Sequence, residues 1–360
     1  MRILLELDSS DIRKGAIRNA LDLAHASEAF GFSCVLCGCL DRDLETIAGR
    51  LGIATMAGRS RMISKRALPL YAWDVARWAG RLLRLRPDVV HLNYAGWGPS
   101  LACAAYLCGI PVVARASAFD PNNPGNRWVK AYVANSEAHA ASLLQSPLRN
   151  RVVVTGPLVR TTPSSSSPEL LPVPPKRPHS CRLLFVGQIV ERKGIAVLLD
   201  ALPSVSLDAD LLIVGGNWSD EGFARRMRDR VTELGLGDRV HLSNHRTDVM
   251  DLLRASDVLV VPSLADTMPR VIIEAMSAGL PVIATSVGAI PTLVEDEVTG
   301  LLVRPGESGD LAQAINRLVL SEEQRARFGR AGRVRAETEL RPEATLERYA
   351  QLYRRLARRA

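Results

Sequence analysis

Asp257–Thr285 reads DVLVVPSLADTMPRVIIEAMSAGLPVIAT, and its pattern decides the fold. Asp257–Val261 is a continuous β-branched apolar run, the mark of a strand buried on both faces of a parallel sheet, and Pro281–Thr285 repeats it after a segment of helical length. The stretch is a βαβ unit. Proline is tolerated only in the first turn, so the helix starts near Met268 or Pro269, and Gly279 with Pro281 ends it at Ala278. Asp266 then lies in the loop before the helix and Glu274 inside it, on the order of 7 Å down the axis at roughly 1.5 Å per residue.

Between these carboxylates sit the first-turn N–H groups of the helix. At the carboxyl end of a parallel strand they form an anion site, through unpaired donors and the helix dipole. A diphosphate bound there has a carboxylate on each side, and carboxylates accept bidentate hydrogen bonds from sugar hydroxyls. The spacing therefore suits a nucleoside diphosphate-sugar, with ribose towards Glu274 and hexose towards Asp266. The bland alternative is that Glu274 decorates an exposed helix face.

The acidic-x7-Glu spacing of Asp266 and Glu274 resembles the signature of the retaining glycosyltransferases of family 4, the group 1 glycosyl transferases of GT-B fold. The resemblance implies that Glu274 contacts the nucleotide ribose and Asp266, where the family usually has Glu, the donor sugar. Upstream, Gly187-Gln188-Ile189-Val190-Glu191-Arg192-Lys193-Gly194 is similar to the family's G-R-x4-K-G, whose cations grip the diphosphate. Lys193 matches. Gln188 replaces the Arg, and Arg192 or Arg270 is a candidate substitute. The resemblance further implies donor contacts at Gly187, Gly215, Gly216, Met268 and Pro269, and places the His245-Arg246 turn beside the base. Gly288-Ala289-Ile290-Pro291 resembles the family's G-G-x-P-E phosphate loop, with Thr292 in place of Glu. Catalysis is expected to rest on Asp266 and Lys193.

The first half also alternates buried strands and helices. Strands are expected at Arg2–Leu7, Ser33–Cys39, Asp88–Asn93, Pro111–Arg115, Tyr132–Asn135 and Val152–Thr155, with helices from Gly15 to about His25, over Ser100–Leu107 and after a Ser136 cap. Pro111–Asp120 resembles the family's P-V-V-x3-H-G-x-D, with Ser117 at the histidine position and Asp120 at the acid. The acceptor-side candidates are Ser117, Asp120, His91 and Gly15, from loops at the carboxyl ends of strands. For His91 a packing role is the competing reading. Residues 1–165 form the first domain. The Ser/Pro-rich stretch Thr161–Ser180 cannot form a packed element, which sets a linker at 166–180. The second domain spans 181–342, and the final amphipathic helix, 343–358, returns to the first. The expected architecture is α/β, two doubly wound Rossmann-like domains facing across a cleft, with the resemblance covering nearly the whole chain.

No apolar run reaches the roughly 18 residues of a membrane span, and no signal-peptide pattern opens the sequence, so a cytoplasmic location is expected. The six cysteines lack a second pair at zinc spacing and read as reduced. No G-x-G-x-x-G follows a strand, which argues against a nicotinamide or flavin enzyme. Two DxD triplets, Asp41-Arg42-Asp43 and Asp208-Ala209-Asp210, read as a helix cap and the start of a strand, so no metal and no other cofactor is expected. Residues 1–170 carry 20 Lys/Arg against 13 Asp/Glu, whereas 171–360 carry 26 against 25. The excess concentrates between Arg59 and Arg86, beside Leu70, Trp73, Trp78 and Leu82. A solvated helix face, an anionic acceptor and an anionic membrane surface at the inner face of the membrane all fit it. Nucleic acid does not, for want of any accompanying motif.

The expected function is transfer of a hexose from a UDP-, GDP- or other nucleotide diphosphate-sugar to a glycan or lipid-linked glycan hydroxyl, as in cell-surface polysaccharide synthesis. Two other readings stay open: a sugar-nucleotide 2-epimerase of the same fold, and a nucleotide-sugar-binding partner subunit with weakened catalysis.

Overall fold

Val258–Val261 and Val282–Thr285 pair in parallel, Leu259 opposite Val282 and Val261 opposite Ala284, and Arg270–Ala278 is the helix between them. This is the βαβ unit expected from the sequence, in a computed structural model of the 360-residue chain. The structure describes residues 1–12, 14–64, 67–94, 96–116, 120, 122–159, 176–177, 180–216 and 222–358, the side chain of Ser142 excepted.

The chain forms two compact units, Met1–Arg160 with Pro342–Ala360, and Thr161–Arg341. The first contains β1 (Arg2–Leu7), α1 (Gly15–Ala26), β2 (Ser33–Gly38), α2 (Arg42–Arg50), β3 (Ala54–Thr55), α3 (Leu68–Leu85), β4 (Val89–Leu92), α4 (Ser100–Leu107), β5 (Val112–Arg115), β6 (Val129–Ala134), α5 (Glu137–Leu144) and β7 (Val152–Val154). These strands build one parallel sheet in the order β3-β2-β1-β4-β5-β6-β7. Asp41 caps α2 through the Leu44 N–H, and Ser136 caps α5 through the His139 N–H, as their positions before apolar periodic runs predict.

The second unit contains β8 (Cys181–Val186), α6 (Ile195–Ala201), β9 (Ala209–Val214), α7 (Phe223–Glu233), β10 (Val240–Ser243), α8 (Val249–Arg254), β11 (Val258–Val261), α9 (Arg270–Ala278), β12 (Val282–Thr285), α10 (Ile290–Leu293), β13 (Gly300–Val303), α11 (Ser308–Leu320) and α12 (Glu322–Thr338). Its parallel sheet runs β10-β9-β8-β11-β12-β13. From β8 the chain winds outward to β9 and β10, then returns to lay β11 on the other side of β8. The gap beyond the carboxyl ends of β8 and β11 is therefore the topological switch point, where ligands of open α/β sheets bind.

The last helix, α13 (Pro342–Ala357), belongs to the first unit, where Leu346, Ala350, Leu352 and Tyr353 join the core beside α1, Ile3 and Val113. Cys34 and Cys37 lie in cores on opposite faces of the first sheet, as strand alternation requires. Cys181 opens β8 and is buried. Of the Ser/Pro-rich linker, Lys176, Arg177 and Ser180 lie within the described residues. Arg177 and Ser180 both bind the fully buried Asp210, with Ser180 Oγ at 2.7 Å.

Candidate functional site

Lys193 and Asp266 meet at the switch point of the second unit. Lys193 ends the short helical turn Glu191–Lys193 after β8, Asp266 lies in the loop from β11 to α9, and their side chains form an ion pair. Both are mostly buried, 15% and 9% exposed. Backbone bonds fix the two loops together: the Arg192 carbonyl accepts from Leu264 N at 2.8 Å and from Ala265 N at 3.2 Å. Two glycines allow this closeness. Gly194 (φ +68°) sits where a Cβ would fall 1.8 Å from the Pro262 carbonyl oxygen, and Gly288 (φ +55°) where one would fall 1.7 Å from that of Asp266.

The helix α9 begins at Arg270, so Met268 lies in the approach and Pro269 is the N-cap. Proline has no side chain to cap with. Apart from Ile272 N, which bonds the Pro269 carbonyl at 3.2 Å, the opening of the helix is left to other acceptors. Glu274 is 9% exposed, so it does not decorate a solvated face. Among the described residues its carboxylate forms one ion pair, with Arg270 Nε at 3.9 Å, one helical turn back towards the N-terminus.

Gly187, Gly215 and Gly216 stand together at the carboxyl ends of β8 and β9. Gly187 N bonds the Val214 carbonyl at 3.0 Å, Gly215 N that of Ser243 at 3.0 Å, and the Gly216 carbonyl accepts from His245 N at 3.2 Å. The next residues of this turn, Asn217 and Trp218, lie outside the described residues. Gln188 is held by its neighbour: Arg192 Nη2 donates to its Oε1 at 2.6 Å. Arg246 forms a buried fork on Asp248, Nε to Oδ1 at 2.9 Å and Nη2 to Oδ2 at 2.6 Å. That pair holds the Asp248 carboxyl below its usual value. Arg246 thus braces the start of α8, and a base contact would fall to the backbone of its turn.

In the first unit, Ser117 lies outside the described residues. Asp120 stabilises its own turn, accepting the Asn122 N–H at 2.8 Å, and Gly15 is the exposed first residue of α1. His91 corrects the acceptor-side expectation. It is 2% exposed, its Nδ1 lies 2.7 Å from the Tyr353 hydroxyl, and burial followed by the Arg115 charge pushes it down to about 3. It is a packing histidine, because β4 is central and α13 covers that face. Trp78 and Leu82 are also core residues, at 0% and 1% exposure, whereas Leu70 and Trp73 are exposed at 53% and 61%. Arg77 and Arg81 stack on Trp78, and Asp74 is buried, accepting from Ser100 Oγ at 2.6 Å and Arg77 Nε at 2.8 Å. A cavity of about 590 Å³ opens here, lined by Arg59, Arg61, Tyr71, Trp73, Asp74 and Arg77.

Several residues escaped the sequence reading. Ser263, fully buried, lies 3.5 Å from Asp266 Oδ2 through Oγ, and its own carbonyl accepts from Thr285 Oγ1 at 2.5 Å. Glu6 is buried inside β1, where burial raises its pKa against the opposing bonds from Tyr94 (2.7 Å) and Ser60 (2.8 and 2.9 Å). The signal for Glu6 was in view: an acid inside the apolar run RILLEL demands buried donors. Among the described residues no group of three His, Cys, Asp or Glu is placed to hold a metal, and no helix is long and apolar enough to cross a membrane.

Residues 168–335 match the family model described as Glycosyl transferases group 1. Over 218 residues the chain is 33% identical to D-inositol 3-phosphate glycosyltransferase of Thermobifida fusca, a match covering 56% of this chain and 49% of that protein. Over 314 residues it is 29% identical to alpha-maltose-1-phosphate synthase of Mycobacterium tuberculosis, covering 74% and 79%. The chain thus spans about half the length of the first of these relatives. Among solved structures, Anabaena HepE in complex with UDP and glucose superposes with a TM-score of 0.80 at 22% identity, covering 99% of this chain and 100% of that one. A glycosyltransferase from Rickettsia africae gives 0.83 at 18%, covering 100% and 99%. Likeness at these identities is likeness of fold.

Proposed function

We propose that this chain, whose residues 168–335 belong to the glycosyl transferases group 1 family, moves a hexose from a nucleoside diphosphate-sugar to a hydroxyl acceptor with retention at the anomeric carbon. The observation that carries this reading is the Lys193–Asp266 pair at the switch point, one loop away from the uncapped start of α9. An ammonium has three donors. Asp266 takes one, and the others are free in this reading to meet oxygens of the diphosphate, while the remaining carboxylate oxygen of Asp266 accepts from hexose hydroxyls. Glu274 accepts from the ribose.

The chemistry follows from charge. As the anomeric C–O bond breaks, its electron pair leaves with the diphosphate, and groups that meet this charge more strongly in the transition state than in the ground state accelerate the step. Lys193 and the first-turn N–H groups of α9 do so here without a metal ion. The acceptor is a glycan or lipid-linked glycan. The segment Arg59–Arg86, with its cationic cavity and exposed Leu70 and Trp73, faces the anionic membrane surface that carries it.

The test is release of free nucleoside diphosphate from a panel of nucleotide-sugars in excess EDTA, with and without hydroxyl acceptors. Acceptor-dependent release, equal in EDTA and in magnesium and lost in Lys193→Ala, is expected. Interconversion of the donor without an acceptor would instead make the chain an epimerase. Saturable binding with no turnover on any acceptor would make it a partner subunit.

A further inference from the structure

Arg115, the last residue of β5, points to the same face of the first sheet as Val113, the face covered by α1 and α13. It lines a small cavity of about 20 Å³ together with polar groups from five directions: Asn19 of α1, His91 of β4, Asn93, Asn135 and Tyr349 of α13. A space of this size admits about one water or one monatomic ion.

Two of the lining groups are unsatisfied. His91 is 2% exposed with Nδ1 engaged by the Tyr353 hydroxyl, and its Nε2 has no hydrogen-bond partner among the described residues. The Arg115 guanidinium forms no hydrogen bond and no ion pair among the described residues, although it is only partly exposed. Burial lowers its pKa, against the opposing charges of Tyr349 and Asp8. Burial and the Arg115 charge also keep both neighbouring imidazoles neutral, His91 at about 3 and His139 at about 4. A cation with no counter-ion in contact among the described residues, and with neutral polar side chains beside it, is costly, and what removes the cost is an anion.

With the Tyr353 hydroxyl as donor to Nδ1, the tautomer this proposal adopts, the proton of the neutral imidazole sits on Nε2 and the atom without a partner is a donor. We propose that this cavity binds a small monatomic anion, of the size of chloride, between the Arg115 guanidinium and the Nε2–H of His91. The site lies in the first unit, Lys193 and Asp266 in the second, and nothing in it rests on the transferase reading.

The experiment is thermal unfolding of the full chain at constant ionic strength, with sodium gluconate, whose anion is too large for such a cavity, replaced stepwise by sodium chloride. The expected result is a saturable rise in Tm, on the order of 3 °C at about ten times Kd, in the wild type, and none in Arg115→Gln. His91→Phe, which removes the Nε2–H, should raise the apparent Kd at least tenfold. Equal responses of wild type and Arg115→Gln overturn the proposal. If Arg115→Gln does not fold, the wild type decides by itself, because a Tm that is unchanged or never saturates when gluconate is replaced also overturns it.

Discussion

Lys193 and Asp266, 73 residues apart in sequence, are ion-paired between the loops that leave the adjacent strands β8 and β11. Under the proposed function each is thereby held for a second partner: Lys193 has N–H donors left for the diphosphate, and Asp266 is approached by a charge from one side, by Ser263 from another and by Gly288 at its carbonyl. A carboxylate fixed this way can hold hydroxyls in one geometry, and positioning of this kind contributes much of the catalysis in group transfer.

Glu274 should govern the nucleotide rather than the chemistry. Glu274→Gln keeps the shape and removes the charge, so its charge-assisted bonds, each worth roughly 1.5–3 kcal/mol, weaken. Titration calorimetry with the free nucleoside diphosphate should show an affinity loss of about tenfold or more. An unchanged affinity would remove Glu274 from the nucleotide site.

Much of this site could be read from the sequence because parallel α/β folds expose it in local patterns. The runs DVLVV and PVIAT, the Gly279 stop and Pro269 locate β11, α9 and β12 to within a residue, and the loop between β11 and α9 carries the candidate Asp266. Residues whose environment comes from distant chain were not legible. His91 lies near a strand end, which left an acceptor-side role open beside a packing one, and α13, more than 250 residues later, decides for packing by covering it with Tyr353. Trp78 looked like part of an interfacial stripe and is the buried platform for Arg77 and Arg81. The two-residue strand β3 is too short to show any periodicity.

Gly288→Ala should damage turnover out of proportion to stability. The substitution meets a left-handed φ of +55° and the Asp266 carbonyl oxygen at 1.7 Å, so the Asp266 backbone has to move. Strain alone should cost about 1–3 kcal/mol. Gly235→Ala is the control, with a similar φ of +64° and no atom within 4 Å. Both variants should lose stability in urea titrations, and only Gly288→Ala should lose kcat, by tenfold or more. Equal kcat in the two would detach Asp266 from catalysis.

His91 makes stability fall in acid. Its folded pKa of about 3 lies below the unfolded value of about 6.5, so between those values the unfolded chain takes up a proton that the folded chain refuses. Stability is therefore flat above about pH 6.5 and declines as the pH drops towards 3. His139, at about 4, adds to the same slope. In His91→Phe the loss between pH 6.5 and 4.5 should be smaller by about 2 kcal/mol, read from urea unfolding at the two pH values. Parallel slopes in variant and wild type would show that His91 titrates normally.

The start of α3 should bind an anionic bilayer. Leu68, Leu70 and Trp73 are 54%, 53% and 61% exposed beside Arg59, Arg61 and Arg77. Co-sedimentation with vesicles rich in anionic lipid should exceed that with neutral vesicles, fall as salt is raised, and weaken several-fold in Leu70→Ala/Trp73→Ala. Negligible binding to both vesicle types rejects the membrane partner and leaves a solvated face.

Gln188 stands where the family carries an arginine, and Arg192 donates to it at 2.6 Å. One consequence is geometric: a guanidinium already occupies the neighbourhood of the missing cation, carried from four residues later and anchored by the Gln188 amide. If Arg192 shares the leaving-group charge with Lys193, Arg192→Ala should weaken the product diphosphate about tenfold, the order expected for one charge-assisted bond, and lower kcat with it. Gln188→Arg alone should gain little, because it places two guanidinium groups side by side and breaks the hydrogen bond that orients the first. In the Arg192→Ala background the same Gln188→Arg change should recover most of the loss, since the cation then returns to the family's position with no neighbour to repel it. Product inhibition by the free nucleoside diphosphate, measured across the four proteins, separates the cases. Recovery in the double variant marks Arg192 as the substitute, whereas a silent Arg192→Ala leaves Lys193 as the side-chain cation of the leaving group, and its replacement by alanine should then cost more than the roughly hundredfold of a single oxyanion donor.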